Sequence, residues 1–332
     1  LAEASRRRRS WYRAIRALVL LTVLAFAAVV LVDHWQEVRA VFARLSLPTV
    51  GLAVVAVLGS LLCSFLGWRA ALAGLGSRLP LGGAMRVFFL GQLGKYVPGS
   101  VWSVVAQVEL GRDYGVPRRS SGAAVVIATL TALATGLAVA GAGLPLLGPE
   151  AYGRYGWTLL MLPVALVVLW PPVLNRLIAL ALRLARRDPL PVSLDLAAIA
   201  RVTGWSLAAW ALFGIHVWIL ALGVGAGGAM LLLQATAAYA AAWCIGFLLV
   251  LAPAGAGARE AALIFLLQPT MPAAEATVVA LTSRLVVTAA DVVWGLVALG
   301  AERRRRGSPN LSPATTEPAA PTGPANEAKL DG

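Results

Sequence analysis

Five ionisable residues sit inside apolar sequence, and their types and spacing fit the handling of an anion. Lys95 lies three residues before Pro98-Gly99-Ser100. Pro98 removes a backbone donor and stops a continuous helix. Gly99 and Ser100 are suited to begin another, with Ser100 as its N-cap. A helix that starts inside the bilayer offers free N–H groups and a positive dipole end to an anion. Lys95, about one turn earlier, adds a full charge, and the combination fits a phosphate. The competing reading is a proline kink whose lysine reaches back to the headgroups. Arg259 and Glu260 follow the flexible run Pro253-Ala254-Gly255-Ala256-Gly257-Ala258 and open a new apolar stretch. Glu260 suits a helix start, whereas Arg259 opposes the dipole there. Arg259 therefore calls for another partner, an acidic residue or a ligand phosphate. Arg284 and Asp291 are seven residues apart, hence on one helix face about 10 Å apart along the axis. Ionisable groups at such depth are costly and face a bundle interior or a water-filled cavity. A structural ion pair, Arg284 with Glu260 for example, and a role in transport both fit.

The elements that must position these residues are broken in the same way twice. Gly91, Pro98 and Pro117 recur in register as Gly246, Pro253 and Pro272, 155 residues later. Matched Gly/Pro interruptions in two halves of a membrane protein point to broken helices around a central site. Residues 80–113 and 230–268 are accordingly expected to form paired re-entrant hairpins. The full spans are expected at 17–32, 48–68, 121–142, 157–172, 201–222 and 274–300. The fold class is then an all-α polytopic membrane protein with two inverted repeats, about 17–142 and 157–300. It has about six full spans and two re-entrant hairpins, eight or more hydrophobic helices in all.

Composition agrees. The chain of 332 residues is 59% hydrophobic and 13% charged, so the bilayer is its solvent. The net charge of +13 is almost entirely arginine. It concentrates at Arg6–Arg9, Arg69, Arg78, Arg118, Arg119, Arg183–Arg187 and Arg303–Arg306, which six spans place on one side. The positive-inside rule makes that side cytoplasmic, with both termini on it. Residues 1–16 read as a basic cytoplasmic segment, 17–302 as the transmembrane domain and 303–332 as a disordered tail. The run from Ala17 reads as a retained signal anchor. Trp35, Trp68, Trp157 and Trp170 lie near span ends, as interfacial anchors do.

Several function classes are excluded. Cys63 and Cys244 lie in apolar runs and read as buried thiols, and His34 and His216 are isolated, so no metal or haem pattern is present. His216 reads as a satisfied core histidine, and Glu109 and Arg112 as an i, i+3 pair. No nucleotide-binding loop, zinc-protease helix or nucleophile elbow occurs. The expectation is a protein that is not an enzyme, takes no cofactor and binds no nucleic acid.

Gly94-Lys95-Tyr96-Val97-Pro98-Gly99-Ser100-Val101-Trp102, followed by Tyr114-Gly115-Val116, resembles the first signature of the lysylphosphatidylglycerol synthase transmembrane-region family. Pro253 to Glu260, with Arg284 beyond, resembles its second. The resemblance covers roughly residues 15–302 and implies a flippase-like domain. It does not extend to an aminoacyl-transferase domain, so lipid aminoacylation is not implied. Ser100 stands where the family commonly has arginine. The expected function is to translocate a phospholipid, aminoacyl-lipid or polyprenyl-linked glycolipid across a bacterial inner membrane. Lys95 and Arg259 would take the phosphate, and Glu260, Arg284 and Asp291 would gate or pair. Membrane lipids are the expected partners, with an envelope glycosyltransferase or synthase as a candidate protein partner. A secondary transporter of a small solute and a membrane scaffold for such an enzyme are the alternative readings.

Overall fold

The computed structural model describes residues 39–41, 43–96, 102–145, 148–184, 190, 193–248 and 257–307, the last six by backbone alone. Pro98, Gly99 and Ser100, the first span at 17–32, Pro253–Ala256 and the tail from 308 lie outside the described residues. Among the described residues there is no strand, and the chain is an all-α polytopic membrane protein.

Among the described residues, ten helical elements from residue 47 onwards follow in order. α1 is Leu47–Gly74. α2 covers 81–96 and changes pitch along its length: α over Leu81–Met85, π over Arg86–Leu90, α over Gly91–Leu93 and 3-10 over Gly94–Tyr96. α3 is Trp102–Arg112, α4 Arg118–Gly143, α5 Pro149–Leu169 and α6 Pro171–Leu184. α7 is Leu196–Gly223, α8 Leu231–Leu248, α9 Ala258–Leu267 and α10 Ala273–Gly307. Six of them, α1, α4, α5, α7, α8 and the stretch Ala273–Ala301 of α10, are long and apolar enough to cross a membrane. Compared with the sequence expectation the set gains α8, and the expected span at 17–32 lies outside the described residues. α8, expected as a re-entrant arm, has 18 residues with a mean hydropathy of 1.6 and meets the criterion on its own.

α1 and α7 form the central seam. Both start behind a side-chain N-cap: Ser46 Oγ accepts from Thr49 N at 3.3 Å, and Asp195 Oδ1 from Ala198 N at 2.8 Å. Each cap takes up a backbone N–H that the first turn leaves without a partner. Both helices end just before a glycine with positive φ, Gly76 at 77° and Gly225 at 98°. Small residues let the two backbones approach. Gly59 faces Leu212, Gly67 faces Trp205, Gly74 faces Ala198, and Gly223 faces Thr49, so the helices run antiparallel along their whole length. Trp68, expected at an interface, is instead 1% exposed, because α2 folds back over α1 and seals it under Phe65 and Phe88.

α2 and α3 form an antiparallel hairpin. Gly83 abuts Tyr114, Gly91 abuts Gln107, and Gly94 lies against the backbone of Trp102 and Ser103. α8 and α9 form a second one, with Gln234 Nε2 donating to Leu266 O at 3.0 Å. α3 and α9 have 11 and 10 residues, about 16 and 15 Å long, against a hydrocarbon core of about 30 Å. The first hairpin begins at the end of the molecule where α1 stops. The second begins at the opposite end, where α7 stops and Arg44 meets Glu275 at 3.6 Å. Neighbour relations recur between the halves: α2 packs on α10 as α8 packs on α4, and α3 packs on α4 as α9 packs on α10.

The fit at Gly94 gives a direct test. A Cβ there would lie 2.8 Å from Trp102 C and Ser103 N, which are backbone atoms, whereas nothing lies within 4 Å of one at Gly82. Gly94→Ala is expected to lower stability by about 1–3 kcal/mol. Gly82→Ala is expected to be neutral or mildly stabilising. Thermal unfolding of the detergent-solubilised protein measures both.

Candidate functional site

The two hairpins meet the last helix near the middle of its apolar stretch. Ala273–Ala301 has residue 287 at its midpoint, and Arg284 and Asp291 flank it. From the first hairpin, Lys95 Nζ lies 2.7 Å from Asp291 Oδ2, and Tyr96 OH donates to the same oxygen at 2.6 Å. Asp291 is 4% exposed. A carboxylate buried this deeply is tolerated because it receives both a charge and a hydrogen bond. Tyr96 also lies 3.5 Å from Thr288 Oγ1. From the second hairpin, Glu260 Oε1 lies 3.3 Å from Arg284 Nη1. This is the ion pair the sequence suggested. The other Glu260 oxygen accepts from Gly257 N at 2.6 Å and so caps α9.

The partner of Arg259 is neither of the two expected from the sequence. Its guanidinium donates to the hydroxyl of Tyr239 on α8 and lies 4.6 Å from the centre of that ring. The ring face supplies a cation–π contact. Among the described residues Arg259 pairs with no carboxylate, and it is only partly buried. The dipole penalty at the α9 start is met by an aromatic platform, and among the described residues no carboxylate compensates the charge of Arg259. Tyr239 in turn is buried between Phe213, stacked at 4.9 Å, and His216, edge-on at 4.9 Å. His216 Nε2 lies 2.9 Å from Ser283 Oγ, one residue before Arg284, so this histidine is a packed core residue as expected, though only one of its two ring nitrogens has a hydrogen-bond partner among the described residues.

The result is one polar layer at mid-depth. Among the described residues it sets Lys95, Arg259 and Arg284 against Glu260 and Asp291, a formal excess of one positive charge. The hydroxyl groups of Tyr96, Thr288, Tyr239 and Ser283 line the same region. The sequence reading picked the five charged residues but neither tyrosine as a site residue. The only signal for them was a phenol beside Lys95 and another in the middle of an apolar run. Aromatic packing fixes the layer from both sides. Phe89 stacks on Trp294 at 4.7 Å, and Trp294 Nε1 donates to Leu58 O at 3.1 Å, which ties α2, α10 and α1 together.

Other ionisable groups lie elsewhere. Glu109 is paired with Arg112 at 3.0 Å, as expected, and also with Arg118 at 2.9 Å. The hydrogen bond from Arg112, followed by that from Arg118, holds its carboxyl below the ordinary carboxylate range. Arg86 meets Asp113 at 3.1 Å. These pairs brace the open end of the first hairpin. Cys63 and Cys244 are free thiols. Among the described residues no group of three or more metal-ligating side chains occurs.

A family model described as the lysylphosphatidylglycerol synthase TM region matches residues 15–295, which contain the whole layer. No curated protein matches the chain.

The Lys95–Asp291 contact can be separated from a purely ligand-binding lysine. Asp291→Ala is expected to cost about 1–3 kcal/mol. That is less than for a fully buried pair, because Lys95 keeps 29% side-chain exposure. The exchange Lys95→Asp with Asp291→Lys is expected to recover at least half of that loss. Thermal unfolding of the two single variants and the exchange variant in one detergent measures it.

Proposed function

This chain belongs to the lysylphosphatidylglycerol synthase TM region family, and on that premise we propose that it carries a lipid headgroup across the bilayer through the polar layer. The substrate class is an amphiphile with a phosphate-bearing headgroup: a phospholipid, an aminoacyl-lipid or a polyprenyl-linked glycolipid. The observation that carries this reading is Arg259, a mid-depth cation whose partner is a tyrosine and not a carboxylate. A partly buried guanidinium of this kind matches a phosphate oxygen pair in geometry and charge.

In this reading Lys95 is the second phosphate ligand, and Asp291 holds it between transport events. The arriving phosphate takes the place of the Asp291 carboxylate at Lys95 and Tyr96. Glu260 and Arg284 keep the second hairpin on α10 while this happens.

The architecture is read as two inverted repeats with re-entrant hairpins. What supports it is the recurrence of neighbours between the halves, the antiparallel α1–α7 seam, and hairpins that open at opposite ends. Two hairpins entering from opposite faces allow alternating access to one mid-depth site. The arginine-rich end then faces the cytoplasm. The membrane is proposed to be a bacterial inner membrane.

The experiment is a flipping assay in proteoliposomes with acyl-labelled phosphatidylglycerol, phosphatidylcholine and a polyprenyl-phosphate sugar, using an impermeant quencher. Wild type is expected to move at least one of them. Arg259→Gln, folded and reconstituted to the same density, is expected to move it about 10-fold or more slowly, the loss of one charge-assisted contact. Failure of folded wild type to move any lipid, or an unchanged rate in Arg259→Gln, would overturn the proposal. Either would favour a solute carrier or a scaffold.

A further inference from the structure

Apart from the polar layer, α6 has a face with no role so far. α5 ends at Leu169, and Trp170 takes an extended backbone with ψ 129° before Pro171 and Pro172 restart the helix. The helix therefore changes direction where the apolar span stops, and Trp170 is 62% exposed there, as an interfacial tryptophan is. α6 is strongly amphipathic. Leu174, Ile178 and Leu182, four residues apart, are buried towards α4. Asn175 then clamps the helix in place with two hydrogen bonds, from Nδ2 to Leu194 O and from Leu194 N to Oδ1, each 3.1 Å. Leu194 also faces Gly74 at the end of α1, so α6 lies at the arginine-rich end of the molecule.

The opposite face carries Arg176, Leu180, Arg183 and Leu184, all exposed, with Leu180 at 53% and Leu184 at 78%. Among the described residues neither arginine pairs with a carboxylate. Leucines interleaved with arginines make this face too apolar for water and too basic for hydrocarbon. It suits the boundary between them, where leucines dip into the acyl region and guanidinium groups reach headgroup phosphates.

We propose that the outer face of α6 is a docking surface for anionic phospholipid in the leaflet at the arginine-rich end. Arg176 and Arg183 bind the headgroup phosphates, and Leu180 and Leu184 enter the acyl region. The charge complementarity is with a net anionic lipid, because a zwitterionic headgroup offers the same phosphate but cancels it with its own ammonium. The surface is separate from the polar layer, and it stands whether or not the chain moves lipid.

The test uses the full chain in lipid nanodiscs containing trace phosphatidylglycerol or phosphatidylcholine, each with a photoreactive group beside the headgroup. Crosslinks are mapped by mass spectrometry to residues 171–184. The expected result is labelling by phosphatidylglycerol about 10-fold above phosphatidylcholine. Arg176→Gln with Arg183→Gln should remove the preference, and Arg176→Lys with Arg183→Lys should keep most of it. Equal labelling by the two lipids in wild type would reduce α6 to an ordinary lipid-facing helix and overturn the proposal. So would a preference that survives the glutamine substitutions, or no labelling of this segment in folded protein.

Discussion

An ionised side chain halfway across a bilayer has no water to turn to, so it must find an opposite charge or a polar hydroxyl on a neighbouring helix. α10 carries two such side chains of opposite sign, Arg284 and Asp291, two turns apart. Each is satisfied by a different hairpin: Glu260 from the second at 3.3 Å, Lys95 and Tyr96 from the first at 2.7 and 2.6 Å. α10 is thus the strut on which both broken elements close, and most other features of the fold serve to bring those contacts to the same depth. Gly91 and Gly94 let α3 lie close enough to α2 for the 3-10 turn to present Lys95 and Tyr96. The Phe89–Trp294 stack holds that arm on α10.

The α1–α7 seam is the second determinant. A small residue every seven or eight positions along α1, at Gly59, Gly67 and Gly74, keeps the two longest-paired helices close and antiparallel. Because each hairpin follows one of these helices, antiparallel packing sends the hairpins in from opposite ends. Opposite signs at Arg284 and Asp291 then distinguish the two tips, since a carboxylate is offered by one and a lysine by the other. Among the described residues Arg259 alone of the three cations meets no carboxylate, and so the layer keeps one positive charge over.

Much of this was legible in the sequence. Long apolar runs gave α1, α4, α7 and, despite Arg284 and Asp291, α10, because a helix surrounded by lipid and other apolar helices needs no polar periodicity. The charged residues stood out for the same reason, and pairing Arg284 with Glu260 followed from sign and depth. The Lys95–Asp291 contact was not legible, since nothing in a linear pattern encodes which helix a hairpin tip will touch 196 residues later. Tyr239 was missed because an aromatic in an apolar run looks like core until an arginine is found on it. Trp68 misled because position near a span end does not reveal whether α2 folds back over it. The 155-residue register of glycines and prolines can be set against the helix starts. The offset of 155 fits the pair α4 and α10, whereas α1 and α7 are offset by 149, the difference accumulating inside the hairpins.

The proposed function requires the mid-depth layer to be a wet, anion-receptive site and not a dry ionic clamp. Its most direct measurement is the chemical accessibility of Thr288, which lies between Arg284 and Asp291 on α10. A Thr288→Cys variant, with Cys63 and Cys244 replaced by alanine, would be treated in proteoliposomes with anionic and cationic membrane-impermeant thiol reagents. Reaction with both reagents is expected, faster with the anionic one, and slowed by glycerol phosphate. No reaction with either reagent in folded protein, or equal rates indifferent to glycerol phosphate, would contradict it.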